Sequence, residues 1–105
     1  MNTNLSDSAT TIVGYTPRPL CSMEKALMAA CSDRSLDAAK HFVESWLRSR
    51  IAITEASRGI AIVETAVTEW LVALLTLLEE CWTRKHSPFA IVEEIRGKLI
   101  AVNLL

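Results

Sequence analysis

The sequence predicts an all-α fold, a small bundle of about four helices behind an extended N-terminal arm. Three observations carry this. Half of the 105 residues are apolar while glycine and proline number three each, which excludes disorder over most of the chain and excludes collagen-like and disulfide-framework classes. Apolar residues recur at helical spacing along most of the chain beyond residue 21. Between Ser35 and Arg84 the one strong breaker is Gly59, and a seven-residue spacing through Ala39, Trp46, Ile53, Ile60, Val67, Leu74 and Cys81 stays apolar throughout.

A chain of this length forms one domain, assigned to residues 21–105. Residues 1–20 form a flexible or extended arm, rich in Ser, Thr and Asn, with Pro17 and Pro19 two apart. The prolines lack donors and push their neighbours to extended geometry. Ile12, Val13 and Tyr15 are the arm's apolar contact points.

The first helix spans about 22–32, with Ser22 as its cap and Met23, Ala26, Leu27 and Ala30 at helical spacing. Residues 32–35 interrupt the pattern, and Ser35 is a second capping residue. The helix that follows, about 35–58, carries a stripe of Ala39, Phe42, Val43, Trp46, Leu47 and Ile53, opposite Asp37, His41, Glu44 and Arg48. A companion seam starts with Leu36 and Val43 and resumes at Leu71 and Leu78. Arg50, Ser57 and Glu64 interrupt it, which points to a bend near Gly59 instead of one fifty-residue rod. Ile51-Ala52-Ile53 and Ile60-Ala61-Ile62 flank residues 55–59 and can also be read as a β-hairpin. Good helix formers between them, and the absence of Asn-Gly or Asp-Gly, favour helix.

The third helix, about 60–84, has 16 apolar residues among the 23 from Ile60 to Trp82. Its polar residues fall on one narrow stripe: Thr65, Glu69, Thr76, Glu79 or Glu80, and Thr83. A helix apolar around most of its circumference needs cover on several sides, so this one is expected at the centre, with Trp70, Leu71, Leu74 and Leu78 buried. Arg84-Lys85-His86 puts positive charge where the macrodipole favours it. Ser87-Pro88, a cap followed by proline, starts the last helix, about 88–103. It directs Phe89, Val92, Ile95, Leu99 and Val102 inward and Glu93, Glu94, Arg96 and Lys98 towards water. Gly97 has no evident purpose there.

The strongest apolar segment, residues 70–78, contains Thr76 and falls short of the roughly 20 residues of a helical span. The first twenty residues hold neither a basic n-region nor an apolar core. A cytoplasmic protein is therefore expected, with its three cysteines as free thiols. Cys31 and Cys81 belong to the core and Cys21 to a boundary.

No catalytic residue, cofactor site or metal site is expected, and the chain reads as non-enzymatic. His41 and Glu44 share a helix face that also faces water. Cys81 with His86 makes two ligands, not a site. The cysteines lack a signature that pairs them with a base. Arg50, Arg58 and Glu64 are candidates for an interior constellation of the kind helical chorismate mutases use, and a water-facing seam accounts for them more simply.

The expected function is a helical interaction protein, an adaptor, subunit or inhibitor that docks on another protein. Four short helices cannot hide this much apolar surface alone. The expected interface is Ile62, Val63, Val72, Leu75, Leu77 and Trp82, used in a homodimer or an obligate complex. The alternative is a dimeric binder of nucleic acid that reads duplex shape through Arg34, Lys40, His41, Arg48, Arg50 and Arg58. A net charge of −1 fits poorly with affinity built on phosphates, and Glu44 stands four residues before Arg48, the favoured ion-pair order on a helix.

Overall fold

The computed structural model describes residues 19–105. It consists of α1 (Ser22–Ser32), α2 (Leu36–Arg58), α3 (Glu64–Thr83) and α4 (Pro88–Ala101), and no strand occurs among the described residues. Of the arm expected at 1–20, only Pro19 and Leu20 fall inside the described residues.

The caps explain where the helices start. Ser35 Oγ accepts from the Ala38 N–H at 3.4 Å, and Ser87 Oγ from the Ala90 N–H at 3.2 Å, with Pro88 at the first helical position. At α1 the N-cap is Cys21, not Ser22. The Cys21 N–H donates to Glu24 Oε1 at 2.9 Å. A carboxylate three residues into a helix reaches back to the cap's own donor, and this sets the start one residue before the serine.

All four helices end alike. The N–H five residues on from a carbonyl folds back to it: Ser35 to Ala30, Ile60 to Glu55, His86 to Cys81 and Leu104 to Leu99, at 2.9–3.3 Å. The residue before each donor is left-handed: Arg34 (φ 57°), Gly59 (64°), Lys85 (59°) and Asn103 (65°). This geometry satisfies carbonyls that would otherwise be orphaned at the helix end.

The joint at Gly59 is therefore a helix end. Residues 51–58 stay helical, so the hairpin reading fails, and 60–63 leave the helix, so α3 begins at Glu64 and not near Ile60. Glu55 Oε2 holds the connection by accepting from the Ile62 N–H at 2.8 Å.

In the packing, α1 lies against α2 and α4, and α3 against α2 and α4. Leu27 of α1, Val43, Trp46 and Leu47 of α2, and Ile91, Val92, Ile95 and Leu99 of α4 are all buried. From α3 only Val67, Leu74, Leu78 and Cys81 are buried. The expectation that this helix is central is thus wrong. The body measures 53 × 35 × 19 Å, and a thickness of 19 Å holds two helix layers at the usual spacing of about 8–10 Å. In two layers every helix keeps a side towards solvent.

The same geometry corrects individual positions. Trp70 and Leu71 are half-buried, and Phe89 is 46% exposed at the first turn of α4. Of the seven-spaced seam, Ala39, Trp46, Val67, Leu74 and Cys81 are buried, while Ile53 and Ile60 are exposed. A straight helix drifts about 20° per heptad from such a seam, so Ile51 and Thr54 replace Ile53 on the core side. Ile60 lies in the extended joint. A methyl group at Gly97 would meet nothing within 4 Å, so nothing in the structure explains glycine there.

Candidate docking surface

The outer stripe of α3 consists of Thr65, Glu69, Thr76, Glu79, Glu80 and Thr83, all exposed, as their spacing predicts. Val72 stands in the middle of it at 59% exposure. At about 100° per residue, Trp70 and Leu77 form one shoulder beside this stripe, and Leu71, Leu75 and Trp82 the other. These five are half-buried and touch the core with their inner sides.

The six expected interface residues therefore divide. Val63 and Val72 are free to meet another surface, at 64% and 59% exposure. Ile62, Leu75, Leu77 and Trp82 are half-buried and pack against the core. Trp82 also carries a local load, because the Arg34 guanidinium lies 4.6 Å over its ring. A cation above an aromatic face is held by the ring quadrupole, which ties the α1–α2 turn to the end of α3.

The basic residues of the alternative reading are engaged within the chain. Lys40 Nζ pairs with Glu79 at 2.8 Å, and Arg48 Nε with Glu44 Oε2 at 3.0 Å. The Glu79 hydrogen bond holds the Lys40 ammonium above its ordinary range. Arg50 Nε donates to the Leu104 carbonyl at 2.7 Å, and Arg58 to the Asn103 carbonyl at 3.5 Å. His41 stands edge-on to Phe42 with ring centroids 5.4 Å apart. The Arg50 and Arg58 contacts fasten the end of the chain to α2, a role that sequence reasoning missed. The two arginines are eight residues apart on one helix, but their partners are carbonyls some 45 to 54 residues away, and backbone carbonyls carry no sequence signal.

Glu24 was missed as well. It is 2% exposed, with Arg96 Nε at 3.9 Å from Oε2. A buried carboxylate is tolerable when a charge and hydrogen bonds compensate it. Arg96, expected towards water, is accordingly drawn into a half-buried position. Glu24 and both arginines, 50 and 96, line a cleft of about 380 Å³ at the start of α1. Its walls include Trp46, Ile53 and Leu105.

Cys31 and Cys81 are buried and Cys21 is exposed, all as free thiols. Burial pushes the Cys31 and Cys81 thiols above their ordinary value. His86 meets Cys81 through the backbone, its N–H on the Cys81 carbonyl at 3.0 Å. Among the described residues no group of three or more His, Cys, Asp or Glu is placed to hold a metal ion, and no helix is long and apolar enough to cross a membrane. No family model, curated protein or solved structure matches this chain.

Proposed function

We propose that this chain is a non-catalytic helical interaction protein that docks on another protein through α3, with a second copy of itself as the first partner. One observation carries the reading. The most apolar helix of the fold buries only a stripe, and Val63, Val72 and the outer sides of Trp70, Leu75 and Leu77 stay open to solvent. Exposed apolar side chains within a polar rim are what a docking surface needs, and a two-fold copy is the commonest cover for one. The engaged state of Lys40, Arg48, Arg50 and Arg58 supports protein over nucleic acid as the partner. Releasing them for phosphates would first break contacts that the chain already makes.

Light scattering at micromolar concentration tests this directly. The expected mass is twice 11.6 kDa, and Val72→Lys is expected to return it to the single-chain value with unchanged helix content. A wild-type chain that stays monomeric and soluble across that range would overturn the homodimer and remove the main support for an interaction role. Binding to duplex that weakens steeply with salt would replace it with the nucleic-acid reading.

A further inference from the structure

We propose that the cleft at the start of α1 binds a small monocarboxylate with an apolar body, its carboxylate held by Arg50 and Arg96 and its body against Ile53 and Leu105. No residue of α3 lines this cleft, so the site stands apart from the docking reading.

Unused donors point to an anion. A guanidinium carries five N–H groups in a fixed fork and accepts nothing. Arg50 commits Nε to the Leu104 carbonyl at 2.7 Å, and its terminal amino groups make no hydrogen bond among the described residues. Arg96 Nε lies 3.9 Å from Glu24 Oε2, an ion pair too long for a hydrogen bond. Both arginines are half-buried and both line the cleft. Donors partly withdrawn from water gain from an acceptor that enters beside them, and the planar fork matches the two oxygens of a carboxylate.

Charge sets the valence of that anion. Of the charged side chains lining the cleft, Arg50 and Arg96 are cationic and Glu24 is anionic. Glu24 Oε1 already accepts from the Cys21 N–H. One added carboxylate balances the remaining positive charge. A dianion such as phosphate would leave excess negative charge beside Glu24, which is 2% exposed, and like charges at a buried site disfavour each other.

The walls give the ligand its body. Two of the exposed large apolar side chains of the described residues, Ile53 at 47% and Leu105 at 39%, line the cleft. Met23 and Pro19 continue the same walls. A few polar groups set in apolar walls are the usual make-up of a small-molecule site, and about 380 Å³ lies at the small end of the range for such sites, about 300–1,000 Å³.

Equilibrium dialysis of the full chain against octanoate tests this, with octanamide as the same body without the charge. Octanoate is expected to bind with a Kd below about 1 mM, and octanamide about ten-fold more weakly or worse. Arg50→Gln should weaken octanoate by about ten-fold. Ile53→Glu keeps every polar contact of the cleft at a half-exposed position, so it should fold as the wild type does and weaken octanoate by a similar factor through like-charge repulsion. Val72→Lys, on α3, should leave the affinity unchanged. Cys21 reports the location, since it lines the cleft and is exposed while Cys31 and Cys81 are buried. Saturating octanoate should slow its modification by iodoacetamide. No binding by the wild type up to about 1 mM, equal affinity for octanoate and octanamide, or unchanged affinity in Ile53→Glu would overturn the proposal. An unslowed Cys21 would place the octanoate elsewhere and overturn the site. Inorganic phosphate binding more tightly than octanoate would overturn the monocarboxylate assignment.

Discussion

Cys31 and Cys81 show how burial at a single residue becomes a property of the whole fold. Desolvation in the core is the largest cause that raises both thiols above the ordinary value of 9.0, and Arg34 opposes it at Cys31. Above pH 9.0 the unfolded chain holds fewer thiol protons than the folded one, so stability falls as pH rises from that value through the raised folded pKa values. Below it the two states hold the same thiol protons and no stability is lost. Urea midpoints measured between about pH 8 and pH 10.5 should therefore decline, and the double variant Cys31→Ala/Cys81→Ala should show a flatter alkaline limb. An equally steep limb in that variant would assign the decline to other groups. Glu24 offers a second test at this scale. Glu24→Gln keeps an oxygen for the Cys21 N–H, while Glu24→Ala loses both that bond and the charge beside Arg96. Removing a buried hydrogen-bonding group costs about 1–3 kcal/mol, so the alanine variant should be the less stable of the two in chemical denaturation.

Helix ends and helix faces set the behaviour of the elements. Lys85 holds a left-handed φ of 59° at the end of α3, a region that costs a residue with a Cβ roughly 1–2 kcal/mol and glycine nothing. Lys85→Gly should raise the unfolding free energy by up to about 1 kcal/mol, read as a higher denaturation midpoint, with part of the gain offset by the freer unfolded chain. Arg34 has the same backbone but also stacks on Trp82, so Arg34→Gly should gain less. Along α3 the phase of the helix is checked by a pair of substitutions two residues apart. Leu74 is 1% exposed and Val72 59%. Leu74→Ala should destabilise by about 2–5 kcal/mol, and Val72→Ala should stay within about 0.5 kcal/mol in the monomer. Similar losses at both positions would place α3 in a different rotation.

For the whole molecule, the two-layer slab decides what is left over for a partner. α1 binds both α2 and α4, and α3 binds both as well, so each pair is bridged and yet no helix is enclosed. A bundle of this shape closes its core around Leu27, Leu47, Ile95 and Leu99, all 0% exposed, and turns the outer side of α3 to water. If a second copy covers that side, association and folding are linked. The melting temperature should then rise with protein concentration, in scanning calorimetry at constant pH and salt, and Val72→Lys should abolish the dependence. A melting temperature independent of concentration in the wild type would separate the open face of α3 from self-association.

The sequence by itself determined the elements and most of their boundaries. Capping serines, Pro88 and Gly59 act through neighbours three to five residues away, and contacts that local are written in order along the chain. The burial of Cys31 and Cys81, the Glu44–Arg48 pair and the polar stripe of α3 were legible for the same reason, since helical spacing alone places them. Tertiary structure alone decided which apolar arc is covered. The spacing of Ile60 to Trp82 describes a helix apolar on nearly every side, but whether three neighbours surround it or two flank it depends on how the helices are layered. The same holds for Glu24 with Arg96 and for Arg50 and Arg58 on the last carbonyls. Their partners lie between 45 and 72 residues away, and a contact across that separation is fixed by packing, not by period.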